Sequence, residues 1–183
     1  LHFQAGPDAS SVPGILYNGP SRTAGDLLPP TVARLAQHPQ IVAIKEATGR
    51  LERAREVLAC CDDDFVLLSG DDATAREWIM AGARGVISVT GNVAPGPMHR
   101  MCEAVLRGDD ADARALDETL AALHRDLFLE ANPIPVKWAL QYMGRTQGGI
   151  RLPLTRLAEV HQPVVAAALR AAGIQCAGVG SCA

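Results

Sequence analysis

Ile41-Val42-Ala43-Ile44-Lys45-Glu46-Ala47-Thr48-Gly49 is a run of four apolar residues, three of them β-branched, that stops abruptly on a lysine. A short run of this kind predicts a strand buried on both faces. In folds that alternate strands and helices, the carboxyl ends of the strands open into the functional cleft. Lys45 then sits where chemistry is done, with its stem against apolar neighbours. Burial disfavours an ammonium and lowers its pKa, and a neutral amine is the species that adds to a carbonyl. The same residue also reads as a strand-end lysine whose tip reaches water. The stretch alone favours that second reading.

Outward from this strand, the pattern alternates. Gly14 to Tyr17 predicts a short strand, followed by turn chemistry over Asn18-Gly19-Pro20-Ser21-Arg22-Thr23. Helices are expected from Pro29 to about His38 and from Arg50 to about Cys60, with Leu51, Ala54, Val57 and Leu58 on the buried face of the second. Phe65 to Leu68 predicts a third strand closed by Ser69-Gly70, and Gly85 to Val89 a fourth. Asp71 or Asp72 is expected to cap the helix between them. At the amino end, Gly6-Pro7 should break any helix. Ile15, Val42, Ile44, Val66, Leu68 and Val86 are expected to share the inner face of the sheet. After Arg107-Gly108 the signal is helical only: Asp109 to Glu130, Val136 to Met143, and Thr155 to Ala172 with Pro163 as a kink or true start.

Four β/α units followed by helices imply a parallel sheet with right-handed crossovers. A closed eightfold β/α barrel needs about 250 residues, so a chain of this length holds about half of one. An open doubly wound sheet is the alternative, but no Gly-x-Gly-x-x-Gly turn follows the first strand, which disfavours dinucleotide binding. The expected division is residues 1–107 for the half-barrel, 108–174 for a helical region and 175–183 for a flexible tail.

The bulk properties narrow the partners. The 183 residues are 48% hydrophobic and 20% charged, an ordinary globular balance. A net charge of −3 without a basic stripe, and only 4% aromatic residues, argue against nucleic acid. No apolar run approaches the roughly 20 residues of a membrane span. Five cysteines, Cys60, Cys61, Cys102, Cys176 and Cys182, have irregular spacing and no CxxC pair, which predicts reduced thiols in a cytoplasmic protein and no metal site. Asp62-Asp63-Asp64 reads as a solvated turn.

Four predicted strand ends converge: Tyr17 with Asn18, Lys45, Ser69 with Gly70, and Ile87 to Thr90. A tyrosine can relay protons, a lysine is the nucleophile of imine chemistry, and the fork of Arg22 suits a carboxylate. Gly70 leaves backbone and room beside the cleft. Singly each is weak, since a strand-end tyrosine is more often packing and a loop arginine more often surface. Together they fit imine chemistry on a 2-oxo acid.

Tyr17-Asn18-x-Pro20-Ser21-Arg22-Thr23, Ile44-Lys45-Glu46-Ala47-Thr48-Gly49, Ser69-Gly70-Asp71-Asp72, Gly85-Val86-Ile87-Ser88-Val89-Thr90 and Asn132-Pro133-Ile134-Pro135-Val136-Lys137 occur in that order. This set resembles the 4-hydroxy-tetrahydrodipicolinate synthase (dihydrodipicolinate synthase) family of pyruvate-dependent Schiff-base aldolases and lyases, from about Val12 to Ile174. The resemblance implies a (β/α)8 TIM barrel, of which this chain carries about the second half. It implies condensation of pyruvate with aspartate semialdehyde in lysine and diaminopimelate biosynthesis, a homo-oligomer (dimer or tetramer), and no metal or organic cofactor. By resemblance, Lys45 forms the imine, Tyr17 relays protons, Arg22 binds the semialdehyde carboxylate, and Gly70 and Ile87 border the bound pyruvate.

The sequence also departs from the family. Gly19 stands where valine is common, and the family's first four β/α units, with a threonine pair and a tyrosine lent across the dimer, have no counterpart here. A sialic-acid or keto-deoxy-sugar-acid aldolase of the same superfamily, and a non-catalytic half-barrel, are the alternatives.

Overall fold

The computed structural model describes residues 2–176. The elements are α1 (His2–Asp8), β1 (Gly14–Asn18), α2 (Pro20–Thr23), α3 (Pro29–Ala36), β2 (Ile41–Glu46), α4 (Leu51–Cys60), β3 (Val66–Ser69), α5 (Ala75–Met80), α6 (Pro95–Leu106), α7 (Asp110–Asp126), α8 (Ile134–Tyr142) and α9 (Gln162–Ala171), with a 3-10 turn at Thr90–Asn92. The described residues form two compact units, 2–88 with 105–108, and 89–104 with 109–176. The expected flexible tail lies, from residue 177 on, outside the described residues, as does Cys182.

The first unit holds a parallel sheet in the order β1-β2-β3. Its register sets side chains in rows. Leu16, Ile44 and Leu67 form one row, 7%, 0% and 1% exposed, on the face that the helices cover. Around them pack Val32 and Leu35 of α3, Ala54 and Val57 of α4, and Trp78 of α5. Each large residue buried there stabilises the unit by about 1.5–3 kcal/mol. Ile15, Ala43 and Val66 form a row on the opposite face, with Tyr17, Lys45 and Leu68 beside them.

Several expectations change. Ile44 is not on the inner face, because alternation turns it with Leu16 into the helix-covered core. β2 is buried on both faces, Ala43 at 3% and Ile44 at 0% exposed on opposite sides, except at Val42, 38% exposed where the register slips, Gly14 pairing with Ile41 and Ile15 with Ala43. The fourth strand is one parallel bridge, Ser69 to Val86. Ser69 N–H donates to the Gly85 carbonyl and Ile87 N–H to the Ser69 carbonyl, both at 2.9 Å, but the chain then coils into the Thr90–Asn92 turn before a ladder can extend. α1 runs through Pro7, so Gly6-Pro7 does not break it. Pro163 marks a true start, in the first turn of α9. Neither Asp71 nor Asp72 caps α5: the helix starts only at Ala75 with Thr74 at its N-cap and no side-chain cap bond, and Asp71 Oδ2 instead holds the turn before it, accepting from the Thr74 N–H at 3.1 Å and the Thr74 hydroxyl at 2.8 Å.

The second unit is helical. α7 is capped by Asp109, whose carboxylate accepts from the Asp112 N–H at 3.1 Å. It packs on α9, which also meets α8. Leu120, Leu123, Val165 and Leu169 are fully buried between these helices.

Candidate active site

Parallel pairing puts Tyr17 directly beside Lys45, at the carboxyl ends of β1 and β2. The Lys45 ammonium lies over the Tyr17 ring, 4.7 Å from its centroid, an attractive placement for a cation on a π face. Lys45 is half-buried, and this burial lowers its pKa from the ordinary 10.5, while the nearby Asp72 carboxylate pulls in the opposite direction. A larger share of neutral amine is the result. That is what nucleophilic attack on a carbonyl requires.

Gly70 closes the lysine's flank. A Cβ there would lie 2.6 Å from Ala47 Cβ and 3.0 Å from Lys45 Cε, so only glycine fits against the lysine stem. The expected open space beside Gly70 is therefore occupied by these two neighbours. Ile87 is 42% exposed, just past the Val86 bridge. Arg22 is exposed on α2, four residues past the end of β1. Gly19 lies under the phenol of Tyr17: a Cβ at Gly19 would meet the Tyr17 hydroxyl at 2.7 Å. Tyr17 is 47% exposed.

One group of residues escaped the sequence reading. Asn18, Glu46 and Ser69, each at the end of its strand, form the next row on the helix-covered face, 1%, 0% and 0% exposed. Asn18 Nδ2 donates to Glu46 Oε2 at 2.7 Å and to Asp26 Oδ1 at 2.8 Å, and Asn18 Oδ1 accepts from the Leu27 N–H at 2.9 Å. Glu46 Oε1 accepts from the Thr48 N–H at 2.8 Å. Arg53, 3% exposed on α4, grips Asp26 with two bonds of 2.8 and 2.9 Å, and its Nη1 lies 3.6 Å from Glu46 Oε2. The Arg53 guanidinium and then the Asn18 amide lower the Asp26 pKa to about 2. A signal for this cluster existed. Polar residues at 18 and 46 fall on the face that alternation assigns to the core, and Arg53 adjoins Ala54 on the apolar side of its helix.

Among the described residues, no group of three or more His, Cys, Asp or Glu could hold a metal ion, and no helix is long and apolar enough to cross a membrane.

A family model, the dihydrodipicolinate synthetase family, matches residues 1–172. The 4-hydroxy-tetrahydrodipicolinate synthase of Alcanivorax borkumensis is 59% identical over 173 residues, 94% of this chain and 59% of that protein. That of Methylococcus capsulatus is 57% identical over 173 residues, 94% of this chain and 60% of that protein. Among solved structures, the chloride-inhibited dihydrodipicolinate synthase of Acinetobacter baumannii, complexed with pyruvate, is 46% identical with a TM-score of 0.92, covering 95% of this chain and 60% of that one. Such neighbours are TIM barrels, and the parallel sheet here is a part of that architecture. The chain spans about 60% of the length of the relatives it matches.

Proposed function

Because the chain belongs to the dihydrodipicolinate synthetase family, we propose that it carries the imine-forming centre of a 4-hydroxy-tetrahydrodipicolinate synthase. This lyase condenses pyruvate with L-aspartate 4-semialdehyde. In this reading, the neutral Lys45 amine adds to the keto carbon of pyruvate. The resulting carbinolamine loses water to give a protonated imine, and a methyl proton then leaves to give the enamine carbon nucleophile. That carbon attacks the aldehyde. Tyr17, in contact with the Lys45 ammonium, carries protons to and from the carbinolamine oxygen. Arg22 receives the semialdehyde carboxylate, and Gly70 and Ile87 border the pyruvate. The lysine is itself the reactive group, so no cofactor enters the proposal.

The observation that carries this reading is the half-buried Lys45 amine resting on the Tyr17 ring at the open end of a parallel sheet. Relatives 57–59% identical that bear the synthase name support it over the sugar-acid aldolase alternative. A cytoplasmic setting accompanies it, supported by the free thiols of Cys60, Cys61, Cys102 and Cys176.

The test is borohydride trapping with pyruvate followed by peptide mass mapping. The chain has two lysines, Lys45 and Lys137. The adduct is expected on Lys45 alone, forming faster as pH rises, with a midpoint below the lysine value of 10.5. An adduct on Lys137, or none, defeats the assignment.

A further inference from the structure

Behind Lys45 and Tyr17 lies a polar cluster, the buried Asn18 amide, Glu46 carboxylate and Arg53 guanidinium with the exposed Asp26 carboxylate at its edge, to which imine chemistry gives no part. Buried ion pairs are weak contributors to stability, and well-packed apolar residues of equal volume often do as well or better. What such a cluster supplies is direction, since each hydrogen bond has a fixed length and angle. The bonds here join four pieces of chain that bear on the site. Asn18 to Glu46 ties the ends of β1 and β2, the residues next to Tyr17 and Lys45. Asn18 to Asp26 and to the Leu27 N–H closes the base of the loop that carries Arg22. Arg53 anchors Asp26, and with it that loop, to α4. Both hydrogen-bonding ends of the Asn18 amide are engaged, so it cannot turn over without placing donors against donors.

We propose that Asn18, Asp26, Glu46 and Arg53 act as positioning residues for the reaction, with Asn18 as the hub. They hold β1 and β2 in the register that sets the Lys45 amine on the Tyr17 ring, and they pin the base of the Arg22 loop. The proposal rests on the reading of Lys45 as the imine-forming residue.

Glu46→Gln tests it at constant volume. The glutamine oxygen still accepts from the Thr48 N–H, but its amide nitrogen then faces Asn18 Nδ2, donor against donor. Two readouts on the full chain separate this proposal from the functional reading. The first uses no pyruvate: reductive methylation with 13C-formaldehyde labels Lys45 and Lys137, and NMR follows each methyl signal with pH. In Glu46→Gln, the Lys45 signal should shift and its midpoint rise toward the ordinary lysine value of 10.5, while the Lys137 methyl signal is unchanged between the two proteins. The second is borohydride trapping on Lys45, expected to slow at least tenfold. A purely structural role would lower the melting temperature and leave the Lys45 midpoint of the folded protein where it was.

Should Glu46→Gln fail to fold, Asp26→Asn, at the more exposed end of the cluster, carries the same two readouts. An unchanged Lys45 signal, with trapping within twofold of the unsubstituted chain, overturns the positioning role. If the unsubstituted chain forms no adduct, the functional reading fails instead, and the methyl signal still decides whether the cluster places Lys45.

Discussion

Gly70→Ala would set a methyl carbon 2.6 Å from Ala47 Cβ, 3.1 Å from Ala47 Cα and 3.0 Å from Lys45 Cε. Carbon atoms rest at about 3.5–4.0 Å, so the overlap with Ala47 is roughly 1 Å. Neither backbone can retreat without loss. Gly70 N–H donates to the Glu46 carbonyl at 2.7 Å, and Ala47 N–H to the Asn18 carbonyl at 2.9 Å. Overpacking of this kind costs about 1–3 kcal/mol. In a chain of this length each kcal/mol corresponds to about 2–4 °C, so the melting temperature should fall by about 2–12 °C. The contact with Lys45 is softer, because its stem can rotate, but rotation carries the amine off the Tyr17 ring. The substitution should therefore also slow borohydride trapping on Lys45, by about tenfold if one hydrogen-bond-sized placement energy of ~1.4 kcal/mol is lost. Thermal melting and trapping on the same preparation decide it. A Gly70→Ala protein that melts and traps like the parent would refute the claim that this glycine is required by packing against the lysine.

Two further outcomes follow from single contacts. Asp26 has its pKa lowered from 3.8 to about 2, so the stability it contributes is complete above about pH 4 and is lost as pH falls through 2. In urea unfolding, the deficit of Asp26→Asn relative to the parent should accordingly be full at about pH 5 and shrink toward zero near pH 2; a pH-independent deficit would contradict the assigned cause. Gly19→Val forces the Tyr17 hydroxyl away from its present seat 2.7 Å from the new Cβ. Because the ring end can swing, melting should barely change while trapping on Lys45 changes at least threefold, and an unaltered trapping rate would show that the phenol's seat over Gly19 does not matter.

The β-branched run ending on Lys45 is legible because burial, alternation and length act within one short segment. The helices over 51–60 and 110–126 are legible for the same reason, since their apolar spacing is local. The fourth strand is less legible: Val86, Ile87 and Val89 have strand-like side chains, but a strand needs a partner ladder, and among the described residues only the bridge at Val86 supplies one. The face that Ile44 takes is not legible in its own strand, because hydrophobicity marks burial without saying on which side. Register decides the side, and register depends on pairing with β1, where the slip at Gly14 and Ile15 cannot be read from β2 alone. Asp26 and Arg53 join across 27 residues, a separation at which no sequence periodicity operates.

The position of the polar cluster nonetheless follows from the positions of Tyr17 and Lys45. Side chains alternate along a strand, so a residue that faces the open end of the sheet is followed by one that faces the helices. Tyr17 and Lys45 are the last residues but one of their strands, and their successors, Asn18 and Glu46, are turned inward where the apolar row of Leu16, Ile44 and Leu67 ends. At that level the helix layer gives way to loop backbone, whose N–H and carbonyl groups need partners once covered. Apolar successors would leave the Leu27 and Thr48 N–H groups without the acceptors they now have, at about 1–3 kcal/mol for each one left buried and unpaired. An amide and a carboxylate meet that demand, and the second carboxylate and the guanidinium then complete the bonds that Asn18 and Glu46 leave open. Tyr17 with Asn18, and Lys45 with Glu46, are consecutive residues of the same two strands, displayed on opposite faces of one sheet.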